Sequence, residues 1–454
     1  MKKFFTLLSI GLYTQLAFSQ SHNINLIYSW TDTTIIPVSS FGNQRFNDVW
    51  GYEQNGLEYA IIGSTMGVHF FNITDTTNLV YVDFVAGRVQ GSGVVHREFH
   101  SYQNYLYVVC DEGASSLQII DMQYLPDSVH LVYDNDSLIV RSHELHVDTA
   151  MKKLYLFGPK TDLFSPGVPV GYPAMILDIS NPVDPQYLAV FTHNTITYVH
   201  DGYVYNDTAF FNAAYEGLYY GYMGDPVNPV ELDVMPFYLD QGFNHSGWLT
   251  PDKTHYVMLD ETQGMRMKMI DMQPGLNFFT VCGLFEAGIG PYNVAHNPHI
   301  KGNYLYVSYY QDGVRIFDIS NPCFPYEVAW YDTWPGDALA GEYRGAWGVY
   351  GFLSSGKVLV SDMQTGLYVL RPQPAYFGIE NESIFSFKVY PNPTAGIIQL
   401  SETFEIVKLI DVSGKLVKIL YNTPTISVNE LSNGLYTIGV KKEGKWGYKK
   451  LIKE

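Results

Sequence analysis

The sequence predicts an all-β protein: a seven-bladed β-propeller closed by an N-terminal strand, followed by a small C-terminal β-sandwich domain. Three observations predict this fold. Short runs of alternating apolar and polar residues are bounded by Gly, Asn and Pro, which is typical of strands. The chain contains 37 Tyr, 26 Phe and 40 Gly, as expected for many strands with tight turns. The pattern repeats roughly every 50 residues along the 454-residue chain, which is the spacing of propeller blades.

The repeat is clearest in the sixth copy. Two alternating runs, Tyr304–Val307 and Val314–Ile319, are joined by a turn that contains Gly, and a third run ends at Tyr331 after a Ser-Asn-Pro break. Another strand precedes these three runs in every copy, so each blade is predicted to have four strands. We expect the seven first strands at residues 46–50, 97–101, 143–147, 198–202, 245–249, 294–297 and 344–348.

The seventh copy lacks an outer strand, because the chain turns at Pro372 and Pro374 instead. Residues 24–30 form an unassigned run that is similar to the outer strands of the other copies. We predict that this run pairs with the seventh copy and closes the ring. Closure would remove the exposed sheet edge that an open ring presents.

The N-terminus has the pattern of a secretory signal peptide over residues 1–19. Lys2 and Lys3 precede an apolar run, and Ala17 and Ser19 are small residues at the expected cleavage positions. This run is shorter than the ~20 residues that span a bilayer, and no other segment is long enough. We therefore expect a mature chain without a transmembrane segment.

The formal net charge is −18, whereas residues 387–454 contain ten Lys and only six acidic residues. The acidic body argues against nucleic acid and anionic membranes as partners, and a monomer is expected. Cys110, Cys282 and Cys323 are too few for a disulfide framework. They are interpreted as buried thiols, with a Cys282–Cys323 bridge as the alternative.

The repeats resemble the LVIVD-repeat propellers of the choice-of-anchor B family over roughly residues 40–373. The second copy departs from the family pattern at Val95–Phe99. The resemblance implies a propeller body over residues 20–372 and carries no known activity. The most specific stretches are Asn244–Asp252 with Leu259–Glu261, Tyr304–Pro322, and Gly345–Tyr350 with Gly366–Pro372.

Residues 387–454 resemble the type A sorting domain of the Bacteroidetes type IX secretion system. The resemblance implies recognition by the type IX machinery, passage through the outer membrane, removal of the tail, and release or attachment at the cell surface. Residues 373–386 are then a linker. The matching segments are Tyr390–Pro393 with Gly396, Val407–Lys415, Leu431–Tyr436 and Lys449–Glu454.

Many of the 13 histidines lie in the predicted first strands, which line the central channel of a propeller. His143, His200, His245 and His296 are candidate ligands of a divalent metal such as Zn²⁺, because neutral imidazoles are good ligands for it. The alternative is that these histidines line a water-filled channel. The best-aligned set of channel residues is Trp50, Arg97, His143, His200, His245, His296 and Trp347, with Glu144, Asp260 and Glu261 as second-shell acceptors or as ligands.

Other patterns favour structural roles. The turns that follow Asp178 and Asp318 repeat with the blades and are interpreted as backbone caps. The aromatic segment Trp330–Trp334 is interpreted as packing, with a sugar or peptide platform as the alternative. There is no P-loop, nucleophile elbow or dinucleotide fingerprint.

The leading hypothesis is a non-enzymatic, secreted or cell-surface propeller that binds a macromolecule or glycan through one face. The sequence does not identify that extracellular ligand. The alternative is a metal-dependent hydrolase, such as a lactonase or phosphoesterase, that uses a metal-bound water at the channel.

Overall fold

A computed structural model describes residues 21–272, 279–287, 290–334, 336, 340–373, 387–411, 416–442 and 445–454. The predicted signal peptide and all but the first residue of the predicted linker lie outside these ranges. All regular secondary structure in the described ranges is β-strand, which confirms the all-β class. The described residues accordingly include no helix with the length and hydrophobicity to span a membrane.

The strands are numbered along the chain. The first half are β1 (Ser21–His22), β2 (Ile24–Trp30), β3 (Phe46–Gln54), β4 (Leu57–Ser64), β5 (Gly67–Asn72), β6 (Val80–Ala86), β7 (Glu98–Tyr102), β8 (Tyr105–Val109), β9 (Leu117–Asp121), β10 (His130–Asn135), β11 (Glu144–Asp148), β12 (Lys153–Phe157), β13 (Lys160–Thr161), β14 (Val170–Gly171), β15 (Ala174–Asp178), β16 (Gln186–Phe191), β17 (Asp201–Tyr205) and β18 (Thr208–Asn212). The second half are β19 (Leu218–Tyr222), β20 (Val230–Met235), β21 (Asn244–Leu249), β22 (His255–Asp260), β23 (Met267–Asp271), β24 (Thr280–Phe285), β25 (Pro298–Lys301), β26 (Tyr304–Ser308), β27 (Val314–Asp318), β28 (Tyr326–Tyr331), β29 (Ala346–Tyr350), β30 (Val358–Asp362), β31 (Gly366–Pro372), β32 (Val389–Tyr390), β33 (Ile397–Asp411), β34 (Leu416–Ser427), β35 (Gly434–Lys442) and β36 (Lys445–Lys453).

Most strands up to β31 belong to seven antiparallel sheets of the described chain. Sheet one is β3–β6, sheet two is β7–β10, sheet three is β11, β12, β15 and β16, sheet four is β17–β20, sheet five is β21–β24, sheet six is β25–β28 with β1 at its edge, and sheet seven is β29–β31 with β2. The hairpin β13–β14 is an insertion between two strands of sheet three.

The first strands of the sheets contact one another in a closed order. The contacts run from β3 through β7, β11, β17, β21, β25 and β29 and return to β3. The first strands therefore surround a common axis, with the other strands of each sheet further out. This arrangement is propeller-like.

Two first strands begin three or four residues later than predicted. In sheet four the strand is Asp201–Tyr205 rather than 198–202, and in sheet six it is Pro298–Lys301 rather than 294–297. His200 and His296 each donate one backbone hydrogen bond to the neighbouring strand before the regular ladder starts. They therefore lie at the entrance of the strand and not within it.

The N-terminal run closes the ring as predicted. Strand β2 pairs antiparallel with β31, with Ile24 opposite Pro372 and Trp30 opposite Leu367. The sequence did not predict β1, which adds a further strand to sheet six through Ser21 opposite Tyr331. One N-terminal segment thus ties together sheets six and seven.

The hydrophobic core lies between neighbouring sheets. Tyr59 and Ile61 of β4 pack with Leu106 and Val108 of β8 across the interface between sheets one and two. Ile24 of β2 is 1 % exposed and packs in the cluster between sheets six and seven. Closure therefore buries apolar surface in addition to pairing a sheet edge.

The interpretation of all three cysteines as thiols is wrong. Cys282 and Cys323 form a disulfide, which links β24 of sheet five to the segment before β28 of sheet six. Cys110 is a buried free thiol, as predicted. The disulfide joins two neighbouring sheets. The separation of 41 residues along the chain does not show that the two cysteines are close in space.

The C-terminal strands β32–β36 form a separate sheet around their own core. Strand β33 pairs with β32, β34 and β35, and β35 pairs with β36. Val407, Ile438 and Leu451 are fully buried in this core. Because the described strands are hydrogen-bonded into one sheet, the predicted sandwich stays a prediction.

Deleting residues 21–30 is expected to lower the free energy of unfolding by several kcal/mol and to cause association, since an unpaired β31 edge can pair with another chain. Ile24→Ala alone should cost about 2–5 kcal/mol because it leaves a cavity. Chemical denaturation and size-exclusion chromatography measure both effects, with Asn25→Ala, at an exposed position of β2, as the control. A truncated protein that is monomeric and equally stable would contradict this role of β2.

Candidate functional site

A closed ring of aromatic side chains surrounds the axis at the N-terminal ends of the first strands. Successive ring centroids are 4.1 Å apart for His143–His200 and His200–His245, 4.3 Å for His245–His296, and 4.6 Å for His296–Trp347. His96 completes the circle, at 5.3 Å from Trp347 and 4.7 Å from His143. We call these six side chains the histidine ring.

Two residues of the predicted channel set lie elsewhere. Arg97 is 1 % exposed and donates hydrogen bonds to the carbonyl oxygens of Ser64 and Val89, away from the ring. Its predecessor, His96, takes the ring position, because adjacent residues of an extended chain point to opposite sides. Trp50 lies in a different layer of the axis, described below.

Four of the histidines are held through Nδ1. His200 donates to the carbonyl oxygen of His245 at 3.2 Å, and His296 donates to that of Trp347 at 2.6 Å. His143 and His96 bond Asp111 and Glu112 at 3.0 and 2.7 Å, and both acids lie in the connection between β8 and β9 of sheet two. A carbonyl oxygen only accepts, so Nδ1 carries the proton in His200 and His296, and Nε2 keeps its lone pair. This is the usual second-sphere arrangement of metal-binding histidines.

Histidines of the ring take part in two groups whose potential ligand atoms lie within 4.8 Å of one another, His96–Asp111–His143 and His200–His245–Glu261. His245 Nε2 is 3.8 Å from Glu261 Oε2, while His245 Nδ1 has no hydrogen-bond partner. Of the four predicted ligands, His143, His200 and His245 fall into these groups, and His296 does not. Glu261, expected as a supporting acceptor or a ligand, has a possible ligand atom in one of them.

Burial controls the charge of the ring. It lowers the pKa of His143, and it lowers the pKa of His200 and His245 well below the ordinary value, with help from neighbouring imidazoles. It also lowers the pKa of His296 to about 3. Burial raises the pKa of Glu261 to about 7, although the hydrogen bond from Tyr310 opposes this shift. These histidines are therefore neutral at pH 7, which is the form that binds metals.

A layer of carboxylates follows the histidine ring along the axis. Asp48, Glu98, Glu144 and Asp201 come from sheets one to four, and we call them the carboxylate layer. Burial raises the pKa of Asp48 to about 8 and that of Asp201 to about 7. Burial and neighbouring carboxylates also raise the pKa of Glu98 and Glu144 well above the ordinary value. Sequence reasoning identified only Glu144 of these four.

The two layers are connected through one hydrogen bond. Trp347 of the histidine ring donates its indole N–H to Glu98 Oε1 at 3.1 Å, across the axis from sheet seven to sheet two. The other oxygen of Glu98 is buried without a hydrogen-bond partner. The carboxylate layer is therefore only partly satisfied by neighbouring side chains.

A second closed ring lies beyond the carboxylates, with one aromatic side chain from each sheet. Neighbouring centroids are 4.5–5.7 Å apart. We call this layer the aromatic ring, and it consists of Trp50, His100, His146, Tyr203, Trp248, His299 and Tyr350.

Irregular pairing explains how residues three apart can both face the axis. The ladders of β3, β21 and β29 each shift register near the strand start, between Phe46 and Val49, Asn244 and Ser246, and Ala346 and Gly348. A bulge adds a residue and breaks the alternation of side chains. In sheets five and seven the shifts fall at His245 and Trp347, so the spacings His245–Trp248 and Trp347–Tyr350 were a signal for two layers.

The remaining candidates have structural roles. Asp260 is fully buried and pairs with Lys268, so it is outside the histidine ring. Asp178 and Asp318 accept backbone N–H bonds from the residues two positions later, as expected for caps. Tyr331 is 5 % exposed, and the ring of Trp330 packs against the guanidinium group of Arg315. These contacts favour the packing interpretation of this aromatic segment.

The sheets and axial layers define a propeller-like repeat protein. Residues 295–333 match the LVIVD repeat, and residues 388–454 match the secretion system C-terminal sorting domain. The chain therefore contains a segment that matches the LVIVD repeat and a C-terminal sorting domain, and the sorting domain indicates export by the type IX secretion system to the cell surface or the extracellular space. A search of curated proteins finds no match.

Comparison with solved structures supports the fold alone. A protein from Lactobacillus plantarum has 13 % identity and a TM-score of 0.50, with 85 % of this chain and 99 % of that chain covered. The WD40 repeats of RRP9 have 10 % identity and a TM-score of 0.51, with 77 % and 97 % covered. PorZ, a surface component of the type IX secretion system of Porphyromonas gingivalis, has 12 % identity and a TM-score of 0.48, with 90 % and 59 % covered.

Asp48→Asn should stabilise the protein more at pH 8.5 than at pH 5. The raised folded-state pKa of Asp48 means that its contribution to stability is present at low pH and is lost as pH rises through about 8. Asn cannot ionise, so the variant avoids this loss. The increase in the free energy of unfolding caused by Asp48→Asn should therefore be larger at pH 8.5 than at pH 5 by about 2 kcal/mol or more. Urea denaturation in amine-free buffer measures it.

Asp178→Asn, at a less buried turn, is the control and should have similar effects at the two pH values. The charged groups that face Asp48 are the other members of the carboxylate layer, so none of them supplies a compensating positive charge. Equal effects of Asp48→Asn at both pH values would contradict the raised pKa.

Proposed function

We propose that this chain is a closed, monomeric, seven-bladed propeller of the choice-of-anchor B type, delivered by a C-terminal sandwich domain, and that it binds an extracellular protein or glycan through one face. The closed order of contacts between first strands supports the seven blades. The aromatic ring supports them independently, because each of the seven sheets contributes one member.

The antiparallel order of the strands gives the propeller two distinct faces. One end of the axis carries the connections between the second and third strands and those that lead to the next sheet. The opposite end carries the connections between the first and second strands and between the third and outer strands. The histidine ring lies at the first of these ends because its residues precede or begin the first strands. We call this end the histidine face.

An exposed apolar patch on the histidine face carries the binding proposal. Tyr215, Phe237 and Leu239, the aromatic patch, are 73 %, 84 % and 63 % exposed. Gln241 joins the two segments through hydrogen bonds to the carbonyl oxygens of Tyr215 and Pro236, at 3.5 and 3.1 Å. Exposed apolar patches with polar surroundings are typical of interaction sites, and aromatic side chains are their most frequent anchors.

The patch is also continuous with the axis. The ring of Tyr215 is 5.2 Å from that of Phe243, and Phe243 is 5.1 Å from His200. A ligand held by the patch would therefore lie beside the mouth of the histidine ring. This continuity favours the histidine face over the opposite face.

Replacing both Tyr215 and Phe237 with Ala should weaken ligand binding by at least about tenfold, because the two aromatic anchors are lost. Labelled mature protein applied to immobilised glycans and to a panel of extracellular proteins measures the binding. Phe324→Ala is the matched control, because Phe324 is 74 % exposed in a connection at the opposite face. If the control weakens binding and the double variant does not, the wrong face has been assigned.

The second candidate function is a metal-dependent hydrolase of the lactonase or phosphoesterase type. The group His200–His245–Glu261 favours it, because two neutral imidazoles and a carboxylate are a common ligand set of catalytic Zn²⁺. A metal there would supply an activated water as nucleophile. The chain's own contribution would be to fix the imidazole of His200 through its Nδ1 contact and to limit access of bulk water.

Protein purified without chelators should contain a transition metal if the second candidate is correct, and His200→Ala and His245→Ala should each lose it. Elemental analysis and thermal melting with added Zn²⁺, Mn²⁺ or Ca²⁺ measure this. His130→Ala, on the exposed strand β10, should keep the metal. A metal-free protein that none of these ions stabilises would exclude this hydrolase.

A further inference from the structure

A cavity lies on the axis between the carboxylate layer and the aromatic ring. It offers about 50 Å³ to the centres of water-sized molecules, or room for roughly three to five waters at ~10–15 Å³ each. Its lining includes the carboxylates Asp48, Glu144 and Asp201 and the indoles Trp50 and Trp248. None of the described residues that line it is Lys or Arg.

The cavity has an excess of hydrogen-bond acceptors. Glu144 and Asp201 each accept the backbone N–H of the following residue, at 2.8 and 2.6 Å. A carboxylate can accept about four hydrogen bonds, so these contacts use only part of the capacity. His299 also lines the cavity, is 8 % exposed, and its Nδ1 has no hydrogen-bond partner. A ligand that donates hydrogen bonds and carries positive charge would satisfy these acceptors and would favour the ionised form of the carboxyl groups, whose pKa burial raises.

The spacing and the walls favour an organic cation over a metal ion. A divalent ion such as Ca²⁺ needs several oxygens at 2.3–2.6 Å around one centre. Among the described residues, the three groups with at least three potential ligand atoms within 4.8 Å of one another do not contain the cavity carboxylates. An ammonium group needs only one or two carboxylates, and indole faces such as those of Trp50 and Trp248 attract it.

We propose that this cavity binds the primary ammonium end of a ligand, such as an aliphatic amine or a lysine side chain. The carboxylates of Glu144 and Asp201 and the free nitrogen of His299 accept its N–H groups, and the indoles pack on the adjoining methylene. The small volume admits only the end of a longer ligand. The site is separate from the aromatic patch, so its test does not depend on the proposed function.

The test is titration of the mature protein with n-butylammonium chloride, followed by tryptophan fluorescence and thermal melting. The ammonium should change the fluorescence with saturation and raise the melting temperature, because Trp50 and Trp248 line the site and binding favours the folded state. Butan-1-ol, and NaCl at equal ionic strength, should do neither. A wild-type protein that responds to CaCl₂ but not to the ammonium would overturn the proposal, and so would one that responds to neither.

The variant Glu144→Gln with Asp201→Asn should bind n-butylammonium at least about tenfold more weakly, because two charge-assisted contacts are lost. Asp225→Asn removes the same charge at an exposed turn and should bind like the wild type. Unchanged affinity in the double variant would overturn the proposal. If the double variant does not fold, the comparison of n-butylammonium with butan-1-ol in the wild type decides.

Discussion

Closure of the ring by β2 is the constraint on which the rest of the structure depends. Pairing of β2 with β31 completes sheet seven, and the closed contacts of the first strands then bring seven chain segments to one axis. Side chains that would face water in an open sheet face each other instead. The polar residues at these positions must consequently find partners inside the protein.

The axis meets this requirement by stacking layers of different chemistry. In the histidine ring, His143, His200, His245 and His296 stay neutral because burial disfavours their charged form. The carboxylates below them are disfavoured as anions for the same reason. Aromatic side chains of the second ring then cover the carboxylate layer. Desolvation thus favours the neutral forms in both layers. Such groups can bind a ligand that carries positive charge or accepts lone pairs.

The sequence was sufficient to predict the repeated strands, but it was insufficient to predict most of the residues that face the axis. Strands β26 and β27 were located within one residue, because alternation and turn residues mark their ends. The closing strand was found because the seventh copy lacked a partner. The carboxylate layer was missed because only one residue per first strand was aligned with the axis, whereas each first strand brings more than one residue to it. The disulfide was only the alternative interpretation, because contact between neighbouring blades is not encoded in the spacing of the cysteines.

The distribution of charge around the axis distinguishes scaffold from site. Core positions such as Tyr59, Tyr107 and Tyr155 recur from sheet to sheet, since each interface needs similar packing. The carboxylate layer does not recur: sheets one to four contribute acids, whereas sheets five to seven place Ser246, Asn297 and Gly348 at the equivalent positions. A requirement of the fold alone would apply to every sheet. The one-sided layer, which costs stability wherever its members ionise, is therefore better explained by a ligand than by packing.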